Sequence, residues 1–192
     1  MNTKNSKETI LNQALAIFGS LGFHKTTMAD IANASKKGRR TIYTYFKNKE
    51  DVYEAVVERE IDKILISLKE EAESTQAIHI IFENYINSRI RAILELTNKY
   101  DALKIAFINN YRWVEKIREK LDKEEYVILT QLLTKAKADQ LFVFDDIDSY
   151  VKNLSLIIKG IEFMLIKEDN KEITALQIKN LNQLLLNGLL AR

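Results

Sequence analysis

A chain of 192 residues with no proline and only five glycines lacks the residues that most often interrupt regular structure. Proline and glycine dominate tight turns and are the strongest breakers of helices. Long helices joined by brief polar loops are therefore expected. Hydrophobic residues make up 46% of the chain and charged residues 29%, a balance typical of folded globular proteins. The sequence predicts an all-α protein of one or two domains.

The residues needed for catalysis or metal binding do not occur in a recognisable arrangement. The chain has no cysteine, which excludes disulfides and thiolate metal sites and suits a reducing cytoplasm. His24 and His79 lie far apart without ligand spacing, so no metal and no cofactor is expected. There is no glycine-rich phosphate loop and no nucleophile-base-acid set. Acidic pairs such as Glu124-Glu125 lie in runs typical of solvated surfaces, and an enzyme is not expected.

Two stretches resemble membrane or export signals in part. The apolar stretch from Leu154 to Ile166 is interrupted by charged residues too soon for a span of about 20 residues. Lys4 and Lys7 precede an apolar run, as in a short signal peptide. The apolar residues there recur at helical spacing, however, which favours an amphipathic helix. A cytoplasmic protein without a membrane partner is expected.

Charge is distributed unevenly although the net charge is only +2. Residues 1–50 carry a net charge of +6, and the remainder carries −4. A basic N-terminal part on a mildly acidic body suggests contact with a polyanion, although many surface helices are basic.

The first fifty residues predict three short helices. The first spans 6–21. Thr26 or Thr27 caps the second, with Asp30 placed as in a capping box, and it ends near Ser35. Lys36, Lys37 and Gly38 form the turn, and the third helix spans 39–46. A fourth helix begins after Asn48 and reaches about Glu73.

Two short helices joined by a tight basic turn form a helix-turn-helix pattern. The second helix of such a motif enters the major groove of DNA, where arginine pairs with guanine and threonine or tyrosine contacts the thymine methyl group. Flanking lysines and a helix N-terminus suit phosphates. The alternatives are a solvated basic face and tyrosines that belong to the core. The predicted DNA-binding residues are Thr26, Thr27, Lys36, Lys37, Arg39, Arg40, Thr41, Tyr43, Thr44, Lys47 and Lys49.

Residues 7–58 resemble the N-terminal part of TetR-family transcriptional regulators, with no insertion or deletion. The segments ILNQALAIF (10–18), TTMADIA (26–32) and TIYTYFKNKE (41–50) carry the resemblance. It implies that the threonine pair opens the helix crossing the DNA backbone, that Tyr43 touches DNA and that Lys49 holds a phosphate. The turn departs from the family, which often has glycine, valine and serine where Lys36, Lys37 and Gly38 stand. A small residue is also common at Arg40. Gly38 is expected to supply unusual backbone angles.

The remaining chain predicts helices near 49–73, 75–97, 100–109, 111–138, 146–167 and 171–190, with Leu141–Phe144 as an apolar loop against the core. We place a DNA-binding domain at 1–48 and a helical regulatory and dimerisation domain at 49–192. The resemblance implies nine helices, the last two forming the dimer. Broad apolar stripes on these two helices fit that interface, burial within one monomer being the alternative. The predicted interface residues are Val151, Leu154, Ile158, Ile161, Leu165, Leu181, Leu184 and Leu185.

The resemblance also implies a small-molecule effector bound among the central helices. Aromatic and polar side chains suit such a pocket, although ordinary core packing explains each of them as well. The predicted ligand-binding residues are Tyr85, Arg89, Phe107, Tyr111, Trp113 and Phe163.

The predicted function is sequence-specific regulation of transcription. A homodimeric repressor would bind a pseudo-palindromic double-stranded DNA operator and be released by an unknown small-molecule effector. The alternatives are an activator or a nucleoid-associated factor of the same fold without an inducer, and a helical interaction module that does not bind DNA.

Overall fold

The computed structural model describes residues 3–108, 112–167 and 180–185 of the chain. Within these residues the fold is all-α, as predicted. Residues 180–185 form a further helical segment after the eight main helices. These helices are α1 (Thr3–Leu21), α2 (Met28–Ser35), α3 (Arg39–Tyr45), α4 (Lys49–Ala72), α5 (Ile78–Lys99), α6 (Asp101–Ile108), α7 (Arg112–Ala138) and α8 (Ile147–Lys167).

Helices α1, α2 and α3 pack through apolar residues at helical spacing. Ile10, Ala14 and Phe18 line the buried face of α1, and Ile31 is fully buried on α2. These side chains belong to the same core as the buried Ile42 of α3. The predicted bounds of all three helices differ from the observed ones by three residues or fewer, because caps and turn residues mark them locally.

Helix α4 connects this N-terminal part to the rest of the molecule. Asn48 caps it by accepting a 2.7 Å hydrogen bond from the backbone N–H of Asp51. Its first turns contact α1, and its length also contacts α5 and α7. Val52, Tyr53 and Ile61 are buried along that face. One continuous helix of 24 residues therefore contributes to the core along its length and links the N-terminal helices to the rest of the molecule.

Helices α5, α7 and α8 pack against one another and enclose the C-terminal part of the same core. The segment between α7 and α8 behaves as predicted for an apolar loop. Phe142 is buried edge-on against Phe82, with ring centroids 5.4 Å apart, and Phe144 stacks against Tyr150. No helix of the described residues is long and apolar enough to cross a bilayer.

The predicted dimer residues require a correction. Val151, Leu154 and Ile158 are buried within the single chain, against the core that α5 and α7 share with α8. Leu185 is buried as well, and Ile161, Leu165 and Leu181 are half-buried against this core. Only Leu184 of the predicted set is well exposed. The most regular apolar stripe of α8, which contains Val151, Leu154 and Ile158, therefore packs inside the monomer.

A second apolar stripe of α8 faces solvent instead. Leu156 is 70% exposed, and Ile157 and Met164 are also exposed. Gly160 lies between them, and a Cβ added there would meet nothing within 4 Å in the described residues. A groove of about 330 Å³ runs beside this stripe between α7, α8 and the 180–185 segment. Its lining residues are Leu133, Tyr150, Asn153, Leu154, Ile157, Leu184 and Leu185.

Candidate nucleic-acid interface

The N-terminus of α2 is fixed by Thr27. Its hydroxyl oxygen accepts a hydrogen bond from the backbone N–H of Asp30, and the carboxylate of Asp30 accepts one from the backbone N–H of Thr27. This is the predicted capping box, which satisfies two backbone donors reciprocally. The side-chain and backbone hydrogen bonds from Thr27 lower the pKa of Asp30. The N-terminus of α2 is therefore capped, and Thr27 at its start is exposed.

The turn between α2 and α3 has the predicted length but a different geometry. Lys36 adopts the left-handed conformation, with φ of 52°. Its backbone N–H donates to the carbonyl of Asn33, and that of Lys37 donates to Ala32. Gly38 has φ of −62° and ψ of 147°, an extended conformation open to any residue. The expectation that Gly38 supplies unusual backbone angles is therefore wrong, and Lys36 supplies them.

One face of helix α3 is buried against the core, and the other face is exposed to solvent. Ile42 within the helix and Phe46 at its end are buried. Tyr43 is 54% exposed, and Arg39, Arg40 and Thr44 are exposed as well. The Thr44 hydroxyl donates to the carbonyl of Arg40 over 2.9 Å, which leaves its oxygen lone pairs facing outward as acceptors. This face offers guanidinium donors, an aromatic ring and hydroxyls to a major groove.

Charged residues surround this face. Lys36 and Lys47 are exposed at the two ends of α3, and Lys37 is half-buried in the turn. Thr41 and Tyr45 are half-buried on the flanks of the helix. Most of the predicted DNA-binding side chains are therefore exposed or half-buried on α3 and in the segments that flank it.

Thr26 does not belong to that surface. Its side chain is buried, and its hydroxyl donates to the carbonyl of Gly22 over 2.7 Å. The predicted phosphate contact of this side chain is corrected, because its only hydroxyl proton is used inside the loop. Thr26 closes the α1–α2 connection and leaves Thr27 as the exposed member of the pair.

The side chain of Lys49 makes a contact within the protein that the sequence did not predict. Its Nζ donates to the carbonyl of Phe23 over 2.8 Å and lies 4.3 Å from the centroid of the Phe23 ring. Carbonyl and ring face both stabilise an ammonium group. Lys49 therefore fastens the first turn of α4 to the loop before α2, and its predicted phosphate contact stays a prediction.

A second link between α4 and the N-terminal helices was not predicted. Arg59 Nη1 donates to Asn12 Oδ1 over 2.9 Å and to Glu8 Oε2 over 3.3 Å, both on α1. These residues are about 50 positions apart and form no motif. Only the fold brings them together.

The predicted effector residues Tyr85 and Arg89 lie together in a buried polar cluster between α5, α7 and α8. Arg89 Nε donates to Glu125 Oε1 over 2.8 Å, and its Nη1 donates to Glu162 Oε1. The Tyr85 hydroxyl lies 3.4 Å from Glu125 Oε1. We call Tyr85, Arg89, Glu125 and Glu162 the Arg89 cluster.

The two glutamates of the Arg89 cluster were missed by sequence reasoning. Glu125 was assigned to a solvated acidic pair, yet it is fully buried. The signal was present: Leu121, Ile128 and Leu129 stand four positions before and three and four after it, all on its helix face. Glu162 has the same kind of position, with Ile158 before it and Ile166 after it.

Electrostatics in the Arg89 cluster are dominated by burial. Burial raises the pKa of Glu162 to about 7, against the pull of Arg89, while the charge of Glu125 pushes it further upward. Burial alone would lower the pKa of Arg89, but Glu162 and Glu125 outweigh it, so the guanidinium stays charged. Phe163 is half-buried on α8. Tyr111 and the side chains of Phe107 and Trp113 lie outside the described part of the chain.

Comparisons with known proteins agree with this arrangement. Residues 10–56 match the model of the tetR family of bacterial regulatory proteins. An HTH-type transcriptional regulator of Bacillus subtilis, YhgD, itself uncharacterised, is 28% identical over 130 residues, which are 67% of this chain and 66% of that protein. The chain thus matches slightly less than two thirds of that relative's length.

Solved structures share the fold over nearly the whole chain. A transcriptional regulator from Cytophaga hutchinsonii has a TM-score of 0.79 at 21% identity, covering 96% of this chain and 98% of its own. A TetR/AcrR-family regulator from Thermobifida fusca has a TM-score of 0.75 at 22% identity, with the same coverage. The matched segment thus places residues 10–56 in the tetR family of bacterial regulatory proteins, and the chain as a whole shares the fold of these solved regulators.

Proposed function

We propose that this protein binds an operator in double-stranded DNA as a homodimer and represses transcription until a small-molecule effector releases it. The exposed face of α3 carries the proposal. Arg39, Arg40 and Tyr43 project from a helix whose opposite side is anchored by Ile42 and Phe46. Because these arginine and tyrosine side chains are exposed, they contribute little to the packing of the core. They supply the hydrogen-bond donors and apolar contacts that can read base edges.

We assign DNA binding to residues 1–48 and regulation and dimerisation to residues 49–192. Exposed lysines at both ends of α3 suit phosphates, which fix the register of the protein on the duplex. The exposed α8 stripe of Leu156, Ile157, Gly160 and Met164, with Leu184 beside it, is the surface we assign to the dimer. A contiguous apolar patch on a monomer is a typical interaction site. A two-fold dimer would present two copies of α3 to two half-sites, so a pseudo-palindromic operator is expected.

Release by an effector requires that the ligand prefer the state that cannot bind DNA. Helix α4 is the element suited to transmit that preference. Lys49 and Arg59 fasten it to the N-terminal helices, while Lys69 pairs with Glu124 of α7 at 2.6 Å. A shift of α7 therefore moves α4 and, with it, the loop before α2.

Binding to the DNA upstream of the protein's own gene tests the proposal, with Arg40→Ala and Tyr43→Ala against wild type over a salt series. Each substitution is expected to weaken specific binding at least tenfold, while binding to unrelated DNA changes little for Tyr43→Ala. Arg91→Ala is the matched control, because Arg91 is an exposed arginine on α5. Its affinity should equal that of wild type.

Wild-type binding should also fall steeply as salt rises, because cations are released from DNA phosphates. Salt-insensitive binding that neither α3 substitution changes would contradict the proposal. If the upstream DNA is not bound, selection from random sequences decides whether the protein has another operator. If the selection enriches no DNA sequence, the proposal that α3 is a recognition helix is contradicted.

A further inference from the structure

The Arg89 cluster contains one more carboxylate than a single guanidinium can neutralise. Arg89 Nε donates to Glu125 Oε1 and Arg89 Nη1 donates to Glu162 Oε1, so two acids from different helices converge on the same cation. The side chains of Arg89 and Glu125 are 1% exposed, and that of Glu162 is 5% exposed. Glu125 Oε2 is also buried without a hydrogen-bond partner among the described residues. Two ionised carboxylates are costly in such a place, and one bound proton removes much of that cost.

The charges around Glu162 come from the helices that pack against α8, which are α5, α6 and α7. The groups with an electrostatic effect on Glu162 are Tyr85 and Arg89 of α5 and Arg118 and Glu125 of α7. The further charges on these helices are Asp122 of α7, which pairs with Lys159 of α8, and Asp101 and Lys104 of α6. Burial has the largest effect on the pKa of Glu162 and raises it. Arg89 and Arg118 lower this pKa, Glu125 raises it, and the result is about 7.

We propose that the Arg89 cluster is a proton switch: Glu125 and Glu162 share one proton while they close on Arg89, and loss of that proton at higher pH weakens operator binding. The effect on the operator rests on the proposed function. With one proton the cluster carries no net charge, whereas the deprotonated cluster carries an excess negative charge in a closed core. Deprotonation therefore favours conformations in which α8 moves away from α7 and water reaches a carboxylate.

The same two turns of α7 contact both the cluster and α4. Glu125 lies in the cluster, and its neighbour Glu124 accepts a 2.6 Å hydrogen bond from Lys69 of α4. One turn earlier, Lys120 pairs with Asp62 of α4 at 2.5 Å. Looser packing between α7 and α8 therefore loosens the contacts that hold α4. A binding surface that is fixed in advance loses less conformational freedom when it binds, so a looser α4 should weaken operator binding.

Operator affinity at pH 6, 7 and 8, at constant ionic strength, tests the switch. Between pH 6 and 8 the affinity of wild type should fall by at least about threefold more than that of Glu162→Gln, whose amide is neutral throughout. The comparison cancels the titration of His24, which is exposed in the loop before α2 and is the same in both proteins.

Two further variants separate the switch from a structural role of the cluster. Glu125→Gln should also lose the excess pH dependence, because the charge of Glu125 raises the pKa of Glu162 and its removal moves the titration below this interval. This variant keeps the test decisive if Glu162→Gln does not fold. Glu119→Gln, at an exposed glutamate of the same helix, is the matched control and should keep the wild-type dependence.

Difference infrared spectra between pH 6 and 8 report the proton itself. Wild type should lose the C=O band of a protonated carboxyl group over this interval, and Glu162→Gln should show no such loss. Absence of the band in wild type, or a pH dependence of operator affinity that is the same in wild type and both glutamine variants of the cluster, would overturn the proposal. A band that is lost without an accompanying change in affinity would also contradict a switch. A protein that binds no DNA at any of these pH values contradicts the proposed function, while the infrared band still decides whether the cluster holds a proton.

Discussion

Lys47 and Lys49 stand two positions apart and are expected to act on DNA in different ways. Lys47 is exposed, whereas the Lys49 ammonium is held by the Phe23 carbonyl and ring. Each phosphate contact contributes about 0.9 to the slope of log affinity against log salt. Lys47→Met should therefore reduce that slope by about one. Lys49→Met should leave the slope unchanged. It should weaken binding about tenfold, because the loop before α2 loses its contact with α4 and the N-terminus of α2 is displaced.

Stability provides the second measurement on the same pair. Lys49→Met removes a hydrogen bond to a carbonyl and should lower the free energy of unfolding by about 1 kcal/mol. Lys47→Met should change it by less than about 0.5 kcal/mol, as typical surface substitutions do. A lower salt slope with unchanged stability in Lys49→Met would mean that Lys49 leaves Phe23 and binds phosphate in the complex.

Glu162 should make stability depend on pH. Burial raises its pKa from 4.5 to about 7, so between these values the folded state binds more protons than the unfolded state. Its contribution to stability is therefore complete below about pH 4.5 and is lost as the pH rises through about 7. Each unit of the shift corresponds to about 1.4 kcal/mol.

The measurement is urea unfolding of wild type and Glu162→Gln at pH 5, 6, 7 and 8. Wild type should lose stability relative to the variant across this interval, by about 1–3 kcal/mol in total. A constant difference between the two proteins would mean that Glu162 does not change its protonation there. Glu124→Gln, at an exposed carboxylate, is the control and should show no such trend relative to wild type.

At the scale of single residues, local signals were predictable from sequence and long-range partners were not. Asp30 and Asn48 were identified as capping residues, and the cap of α2 was narrowed to Thr26 or Thr27, because a cap depends on residues three positions away. The contact of Lys49 with Phe23 spans 26 positions and that of Arg89 with Glu162 spans 73. No periodicity encodes such pairs, so the fold alone decides whether a charge meets a phosphate, a carbonyl or a carboxylate.

The turn between α2 and α3 contains a conformational cost that substitution can remove. Left-handed backbone costs a residue with a Cβ about 1–2 kcal/mol, and Lys36 adopts it. Lys36→Gly should therefore raise the free energy of unfolding by about 1 kcal/mol. Lys37→Gly removes the same charge at a position without positive φ and should lower it by up to about 1 kcal/mol.

Urea unfolding measures both variants of the turn, with an unchanged m-value showing that the unfolded state is the same. Operator affinity should fall in both, because each loses one positive charge near the phosphates. A destabilised Lys36→Gly protein would contradict the left-handed assignment. Sequence reasoning placed this conformation at Gly38 because glycine usually takes it, but hydrogen bonds of the α2 C-terminus determine its position.

Helix α8 shows why periodicity alone could not assign its apolar stripes to the core or to solvent. Its apolar residues cover more than one stripe, and periodicity cannot state which stripe meets which neighbour. The regular stripe of Val151, Leu154 and Ile158 packs against α5 and α7 of the same chain. The weaker stripe containing Gly160 is left to solvent because no described helix covers it.

At the scale of the whole molecule, α4 and α7 connect the buried cluster to the N-terminal helices. Arg59 joins α4 to α1, Lys69 and Asp62 join α4 to α7, and Lys159 of α8 pairs with Asp122 of α7 at 2.6 Å. Exposed ion pairs contribute little stability, typically below about 1 kcal/mol each. These pairs link α8 to α7 and α7 to α4, and Lys49 links α4 to the loop before α2. A displacement of α7 is therefore expected to reach α2.

The proposed dimer surface would determine whether two copies of α3 act together on DNA, and Gly160 is the position that tests it. A side chain there meets nothing within 4 Å in the described part of one chain, so Gly160→Leu should fold and gain up to about 1 kcal/mol of helix stability. If the α8 stripes of two chains meet, the same leucine blocks their close approach. Sedimentation should then find monomers at concentrations where wild type is dimeric, with at least tenfold weaker operator binding. Gly19→Leu, also in open space but on α1, is the matched control and should remain dimeric. A dimeric Gly160→Leu protein with full operator affinity would place the interface on another surface.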